Sequence, residues 1–235
     1  MRTITFRPTW EAWLRHASAA LVDGIPPSEI VWAPDEPDAQ TALPFGGPTS
    51  SRPKAAAPVL AGSPAVCAAG EVPCDFERLG RLVACHRSED RFGLLYRLLW
   101  RARHGEPEVL GDMLDPEVFR FRRMAAAVRE DLKGTRSHLQ LRDPGYSPRR
   151  TTRSAPDGRL PDLVAWCDPR HRILPLLAEE LAARSPGRSF ALLSPRASAF
   201  WDGRTLDLGP GASAAGTSSK GELAARWEAR RRVAA

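Results

Sequence analysis

The stretch RFGLLYRLLWRAR, Arg91 to Arg103, limits what this chain can fold into. On a helical wheel Phe92, Leu95, Tyr96, Leu99 and Trp100 fall on one arc about 140° wide. Leu94 and Leu98 stand outside that arc, among Arg91, Arg97 and Arg101. A helix apolar over so much of its girth belongs inside a fold, with other elements packed around it. Its arginines then need anions. They either pair with carboxylates of the same chain or reach a phosphate, and the pattern leaves both open.

The elements available to surround it can be read from local signals. RTITF reads as a short strand, and TWEAWLRHASAALVDG as a helix with Thr9 as N-cap, Glu11 in the first turn and Gly24 as the stop. Trp10, Trp13, Leu14, Ala17 and Leu21 give that helix one apolar face. PPSEIVW is a turn into a second strand. Asp75 opens another helical pattern, DFERLGRLVACHR, with a stripe of Phe76, Leu79, Leu82 and Val83. Asp115-Pro116-Glu117 is a helix start: a capping carboxylate, a proline at the first position and an acid near the positive end of the dipole. That helix is expected to reach about Lys133 and stop at Gly134. Further on, SHLQLR (137–142), DLVAWC (162–167) and SFALLS (189–194) read as strands. DPRHRILPLLAEELAARSPG reads as a helix opened by Asp168-Pro169 and closed near Gly187. SAFWDGRTLDLG reads as two strands turning at Asp202-Gly203. The expected class is α+β, with a helical N-terminal half and a small, mostly antiparallel sheet with a packed helix in the C-terminal half.

Composition shifts divide the chain. Residues 1–33 form a strand-helix-strand segment. Residues 34–73 are rich in Pro, Gly and Ala without any period, as in a linker or long loop. Residues 74–210 form an α+β domain, and 211–235 a disordered or short helical tail. No apolar run approaches the ~20 residues that span a bilayer. The N-terminus lacks a signal-peptide pattern, so a cytoplasmic protein with no membrane role is expected. The four cysteines, Cys67, Cys74, Cys85 and Cys167, contain no CxxC and are expected as thiols.

The net charge is +6, and it is uneven: residues 1–84 carry 7 basic and 9 acidic side chains, 85–150 carry 14 and 10, and 151–235 carry 13 and 9. Only Lys54, Lys133 and Lys220 are lysines. An anion-binding surface therefore belongs to the second two thirds, and nucleic acid is the expected partner. Along the helix from Pro116, Arg122, Arg129 and Lys133 lie within about 40° of one another, beside the core stripe of Phe121, Met124, Val128 and Leu132. A cationic row of this kind suits a nucleic-acid backbone, and Arg91 and Arg97 are further candidates. Trp166, Phe200 and Trp201 are candidate platforms for unpaired bases.

Chemistry-bearing residues are sparse. No P-loop, dinucleotide fingerprint, nucleophile elbow or metalloprotease helix occurs, and no cofactor is expected. The adjacent Cys85-His86 is a poor nucleophile-base couple, because neighbouring side chains rarely point at each other. A couple would draw on His171, His104 or His138 instead. His86, His171 and Asp168 are the catalytic candidates. Cys85, His86, Cys167 and His171 have the donor types for zinc but no zinc-motif spacing.

VACHRSEDRFGLLYRLLWR (83–101), DPEVFRFRRMAAAVREDL (115–132), LVAWCDPRHRIL (163–174) and FALLSPRASAFWDG (190–203) resemble a bacterial family described as DNA metabolism or DNA repair proteins. The family's mechanism is unknown. Its members stand beside a radical SAM protein, or form the N-terminal domain of uracil-DNA glycosylase fusions; VDGIPPSEIVW resembles the fused branch. Two departures are visible. LKGTRSHLQLR replaces a His-Lys-Met run leading into an aromatic strand, and WEARRRVAA stands where an aromatic helix and an Asn-Pro-Ala-Arg-like element usually follow. The charge distribution and the resemblance together lead to the expectation of a DNA-associated accessory protein, leaning toward no catalysis of its own, with that point left open. Alternatives are a DNA-processing enzyme, a nuclease or base-modifying activity using His86 or His171, and an interaction module for a glycosylase or radical SAM partner.

Overall fold

The structure, a computed structural model, describes residues 1–35, 74–143 and 161–212. Nearly all of the expected linker 34–73, the arginine-rich loop after Arg142 and the tail from 211 lie outside these residues, as do Cys67 and the side chain of Cys74. Contacts divide the described residues into two compact units. One takes in residues 1–35, 74–133 and 170–173, and the other takes in 134–143, 161–169 and 174–212.

In the first unit, β1 (Arg2–Phe6) and β2 (Ile30–Pro34) pair in parallel, in register from Arg2–Ile30 to Phe6–Pro34. Parallel neighbours need a crossover. Helix α1 (Trp10–Val22) supplies it, capped as its sequence predicts: Thr9 Oγ1 accepts the Ala12 N–H at 3.3 Å. Its exit turns at Gly24, whose φ of 67° suits glycine. Helices α2 (Cys74–Ala84), α3 (Arg91–Arg103) and α4 (Pro116–His138) complete the unit, except that the last turn of α4 is grouped with the second.

α3 is the centre, as its girth requires. Phe92, Leu94, Leu95, Tyr96 and Leu98 have no exposed surface, and Leu99 is 1% exposed. Phe92 meets Phe6 edge-on at 4.8 Å and stacks on Trp13 at 6.2 Å. Phe76 of α2 stacks on Phe121 of α4 at 5.7 Å. The Tyr96 hydroxyl donates to the Ile25 carbonyl at 2.7 Å, so this buried ring keeps a polar partner.

α4 runs past its expected end. Gly134 keeps a helical backbone and the helix continues to His138. A glycine inside a helix costs only about 1 kcal/mol, and Val128 and Leu132 are already packed when the chain reaches it. The strand expected at 137–142 is lost to this extension, apart from an antiparallel bridge between Arg142 and Val164.

The second unit holds a four-stranded sheet, β3 (Leu163–Trp166), β4 (Phe190–Leu193), β5 (Ala197–Trp201) and β6 (Leu206–Pro210), in that order. β3 and β4 are parallel across helix α5 (Leu174–Arg184), and the other two pairings are antiparallel. All four residues of β4 are buried, which explains its unbroken apolar sequence. The turn at Asp202-Gly203 is wider than a two-residue hairpin. It takes in Asp202–Thr205, with the Asp202 carboxylate accepting the Arg204 and Thr205 N–H groups at 2.8 and 2.7 Å and Gly203 at φ 99°. α5 starts at Leu174 rather than beside Asp168-Pro169. The N–H groups of His171 and Arg172 are taken by Asp131 Oδ2 and the Cys85 carbonyl, both at 2.8 Å, so the chain there is not free to coil.

Gly80 of α2 lies against the Trp10 ring so closely that a Cβ would overlap it. That ring is itself wedged beside Trp13 and Phe76, at 5.2 and 6.1 Å between centroids. Gly80→Ala is expected to destabilise the protein by roughly 1–2 kcal/mol, the overpacking exceeding the gain in helix propensity. Urea denaturation reads this, and an unchanged or raised midpoint would contradict the packing described.

Candidate functional site

The connection between α2 and α3, residues 85–90, is held from inside by Arg91. Its side chain has no exposed surface. Nε donates to the Ala84 carbonyl at 2.9 Å, one terminal nitrogen donates to the Ser88 carbonyl at 3.0 Å, and the guanidinium lies 4.4 Å over the Phe92 ring. Arg91, expected as a phosphate contact, has these donors turned inward: one onto the carbonyl that ends α2, which would otherwise be orphaned, and one onto a carbonyl of the connection itself.

This closed connection receives His171. The Arg87 N–H donates to His171 Nδ1 at 3.2 Å, and the next N–H, of Ser88, donates to His86 Nδ1 at 3.1 Å. The two rings lie 4.5 Å apart between centroids, inclined by 33°. Arg172 completes the seam: its N–H bonds the Cys85 carbonyl at 2.8 Å and its guanidinium the His86 carbonyl at 3.3 Å.

Because each Nδ1 accepts a hydrogen bond, each ring carries its proton on Nε2 and is neutral. Electrostatics agrees. Burial, reinforced by His171, Arg87, Arg91 and Arg120, pushes His86 down to about 4. Burial also lowers His171, with Arg87, Arg170 and Arg172 acting in the same direction and Asp131 against it. The pair is therefore two hydrogen-bond donors. Neither ring is a ready base or a metal ligand while its Nδ1 bond holds. Among the described residues no three His, Cys, Asp or Glu side chains gather as around a metal ion, so Cys85 and Cys167 do not complete a zinc set with the imidazoles. Both cysteines are thiols. Asp168 is exposed and makes no side-chain bond among the described residues. His104 is stacked on Trp100 at 3.7 Å, and His138 bonds the Gly134 carbonyl.

The other arginines of α3 pair within the fold. Arg97 bonds Glu117 and Asp90. Arg101 bonds Glu106 at 2.6 Å, Asp115 at 2.8 Å and Glu117 at 3.4 Å. Arg120 joins from α4 by bonding Asp90 at 2.9 Å. Asp115 meanwhile caps α4, accepting the Glu117 and Val118 N–H groups at 2.8 and 3.0 Å, and the Arg101 guanidinium first of all holds its carboxyl below the usual range. Arg97, expected as a phosphate contact, thus has its charge already engaged.

Of the α4 row, Arg122 is half-buried and donates to the Leu110 carbonyl at 2.7 Å. Arg129 and Lys133 are exposed, and neither has an ion pair among the described residues. One turn further, Arg136 pairs with Glu180 at 3.4 Å. The aromatic platforms fare differently: Phe200 and Trp201 are each 4% exposed and belong to the core, while Trp166 is half-buried.

Sequence reasoning grouped His86 and His171 as candidates for catalysis or zinc and missed Arg87 and Asp131. A signal was present: each histidine is flanked by arginine, in His86-Arg87 and in Arg170-His171-Arg172.

These features define an α+β protein in which a buried arginine and a pair of neutral imidazoles organise one end of the helical unit. Residues 89–229 match a protein family described as a domain of unknown function, DUF4130, and the chain belongs to that family. No curated protein and no solved structure matches it. Among the described residues no helix is long and apolar enough to cross a membrane.

The His86 shift sets a pH dependence. With a folded value about 4 against about 6.5 in an unfolded chain, the unfolded state takes up the proton first. The stability contributed by the neutral ring is complete above about pH 6.5 and is lost as pH falls toward 4. Denaturation midpoints measured across that window should fall more in the native chain than in His86→Gln; equal falls would show that the ring is not held neutral.

Proposed function

We propose that this chain is a cytoplasmic, DNA-associated accessory protein of DNA repair or base metabolism that meets the nucleic-acid backbone along the exposed edge of α4. The observation that carries the reading is the contrast among its cations. The helical unit engages Arg97, Arg101 and Arg120 with carboxylates, yet leaves Arg129 and Lys133 exposed and without ion pairs among the described residues. The two stand one turn apart, about 6 Å along the axis, on a face that carries no carboxylate between them. Unpaired cations in a row are what a phosphate backbone recruits, because it releases counterions when they bind. The positive balance of residues 85–235 supports the reading, and so does the resemblance of 83–101 and 190–203 to DNA metabolism proteins. A uracil-DNA glycosylase or a radical SAM protein is the partner that this resemblance suggests.

One observation favours a second reading, a DNA-processing enzyme: His86 and His171, far apart in sequence, do meet. Held as donors, they suit charge stabilisation at a phosphate oxygen better than proton abstraction.

Anisotropy titrations with single- and double-stranded DNA at two salt concentrations test the proposal. The native chain should bind with a salt-dependent affinity. Arg129→Ala/Lys133→Ala should weaken binding and reduce the slope of log K against log salt by about 2, with an unchanged unfolding midpoint. Salt-independent or absent binding would refute the reading. Turnover of DNA that is lost in His86→Ala but kept in Lys133→Ala would move the conclusion to the enzyme.

A further inference from the structure

We propose that His86, His171 and Arg87 form a binding site for a phosphate-type oxyanion, separate from the α4 edge. The site goes beyond the backbone-contact reading and stands if that reading fails.

The two imidazoles keep donors that the fold does not use. Each imidazole has its Nδ1 committed to a main-chain N–H, at 3.1 and 3.2 Å, and each keeps one N–H at Nε2. Among the described residues neither Nε2 has a hydrogen-bond partner. Neither is among the fully buried side-chain atoms left without a partner, which are Trp13 Nε1, Arg122 Nε and Trp201 Nε1 among the described residues; His86 is half-buried, and His171 keeps 7% of its surface exposed. Two N–H groups on rings 4.5 Å apart, each fixed by its other nitrogen, form a preorganised donor pair. Arg87 is tied to the pair: its own N–H pins His171, the next N–H pins His86, and its exposed guanidinium has no bond or ion pair among the described residues.

The sign of the surroundings follows. The charges that act most on the two rings are those of Arg87, Arg91, Arg120, Arg170 and Arg172, with Asp131 acting against them. Asp131 spends Oδ2 on the His171 N–H at 2.8 Å, and Arg120 is also paired with Asp90. Burial first, and this positive field with it, keeps the imidazoles neutral, and the field also attracts an anion. Rings that offer protons rather than lone pairs do not take a cation. A tetrahedral phosphate has enough oxygens to accept from two imidazoles and a guanidinium together, whereas a carboxylate has two. A terminal phosphate of a nucleic acid and a free phosphate share this chemistry, and the test separates them.

The test titrates inorganic phosphate into the full chain at neutral pH, read by calorimetry and by long-range proton–nitrogen spectra of the histidines. Saturable binding is expected, with both rings in the Nε2–H form and both Nε2 signals moving on addition of phosphate. Arg87→Ala, an exposed change that spares the fold, should weaken binding about tenfold, or 1.4 kcal/mol. His86→Gln should weaken it similarly, while Arg129→Ala/Lys133→Ala should leave it unchanged. A 5′-phosphorylated oligonucleotide that outcompetes its 5′-hydroxyl twin, with the advantage lost in Arg87→Ala, assigns the site to nucleic-acid ends; no difference between the two assigns it to the free anion. Absence of saturable binding, Nε2 signals that do not move, or native affinity in folded Arg87→Ala and His86→Gln would each overturn the proposal.

Discussion

A guanidinium with no exposed surface is the constraint on which the helical unit depends. Arg91 begins α3 and reaches back to the carbonyl that ends α2. Taking such a group out of water is costly unless its donors are met, and leaving its acceptors bare after its removal costs about 1–3 kcal/mol for each. The path taken by residues 85–90 satisfies it. That path aims the Arg87 and Ser88 N–H groups at the two imidazoles. The position of the histidines is therefore a consequence of how one buried charge is solvated by the main chain.

At the other end of α3 the same problem is solved with carboxylates. Asp115 gives one oxygen to the first turn of α4 and the other to Arg101, and Glu117 is shared between Arg97 and Arg101. Helix capping and ion pairing are here one structure. Half-exposed pairs of this kind contribute modestly to stability, each about 0–1 kcal/mol, so their main effect is on geometry: they set where α4 starts and how it is turned. The turning decides which α4 side chains face outward. Phe121, Val128 and Leu132 go in, and Arg129 and Lys133 are left outside.

Local chemistry was legible in the sequence. Thr9, Asp115-Pro116 and the bounds of α3 were readable because caps, prolines and apolar girth act over a few residues. The strands after Pro161 were legible for the same reason. The failures share another cause. Gly134 reads as a stop only when packing is ignored, and 168–173 reads as helical only while the demands of Cys85 and Asp131 are unseen. The parallel pairing of β1 with β2 depends on α1 folding back, which no alternation of residues announces. At the site, His86 and His171 were visible as residue types, but their meeting is set by hydrogen bonds between positions 84 residues apart. Arginine gave the least away: Arg91, Arg97 and Arg129 look alike in sequence, and they end up on carbonyls, on carboxylates and in water.

The helical unit is completed by residues that come late in the chain. Residues 170–173 belong to it, although 134–143 and 161–169 belong elsewhere. During synthesis the first 133 residues leave the ribosome with the Cys85 carbonyl and Asp131 still waiting for the N–H groups they will accept. Closing the loop from residue 87 to residue 171 carries an entropy cost of about 4 kcal/mol beyond a constant, which the seam must repay. Any nascent chain shorter than 171 residues therefore carries His86 without its neighbour.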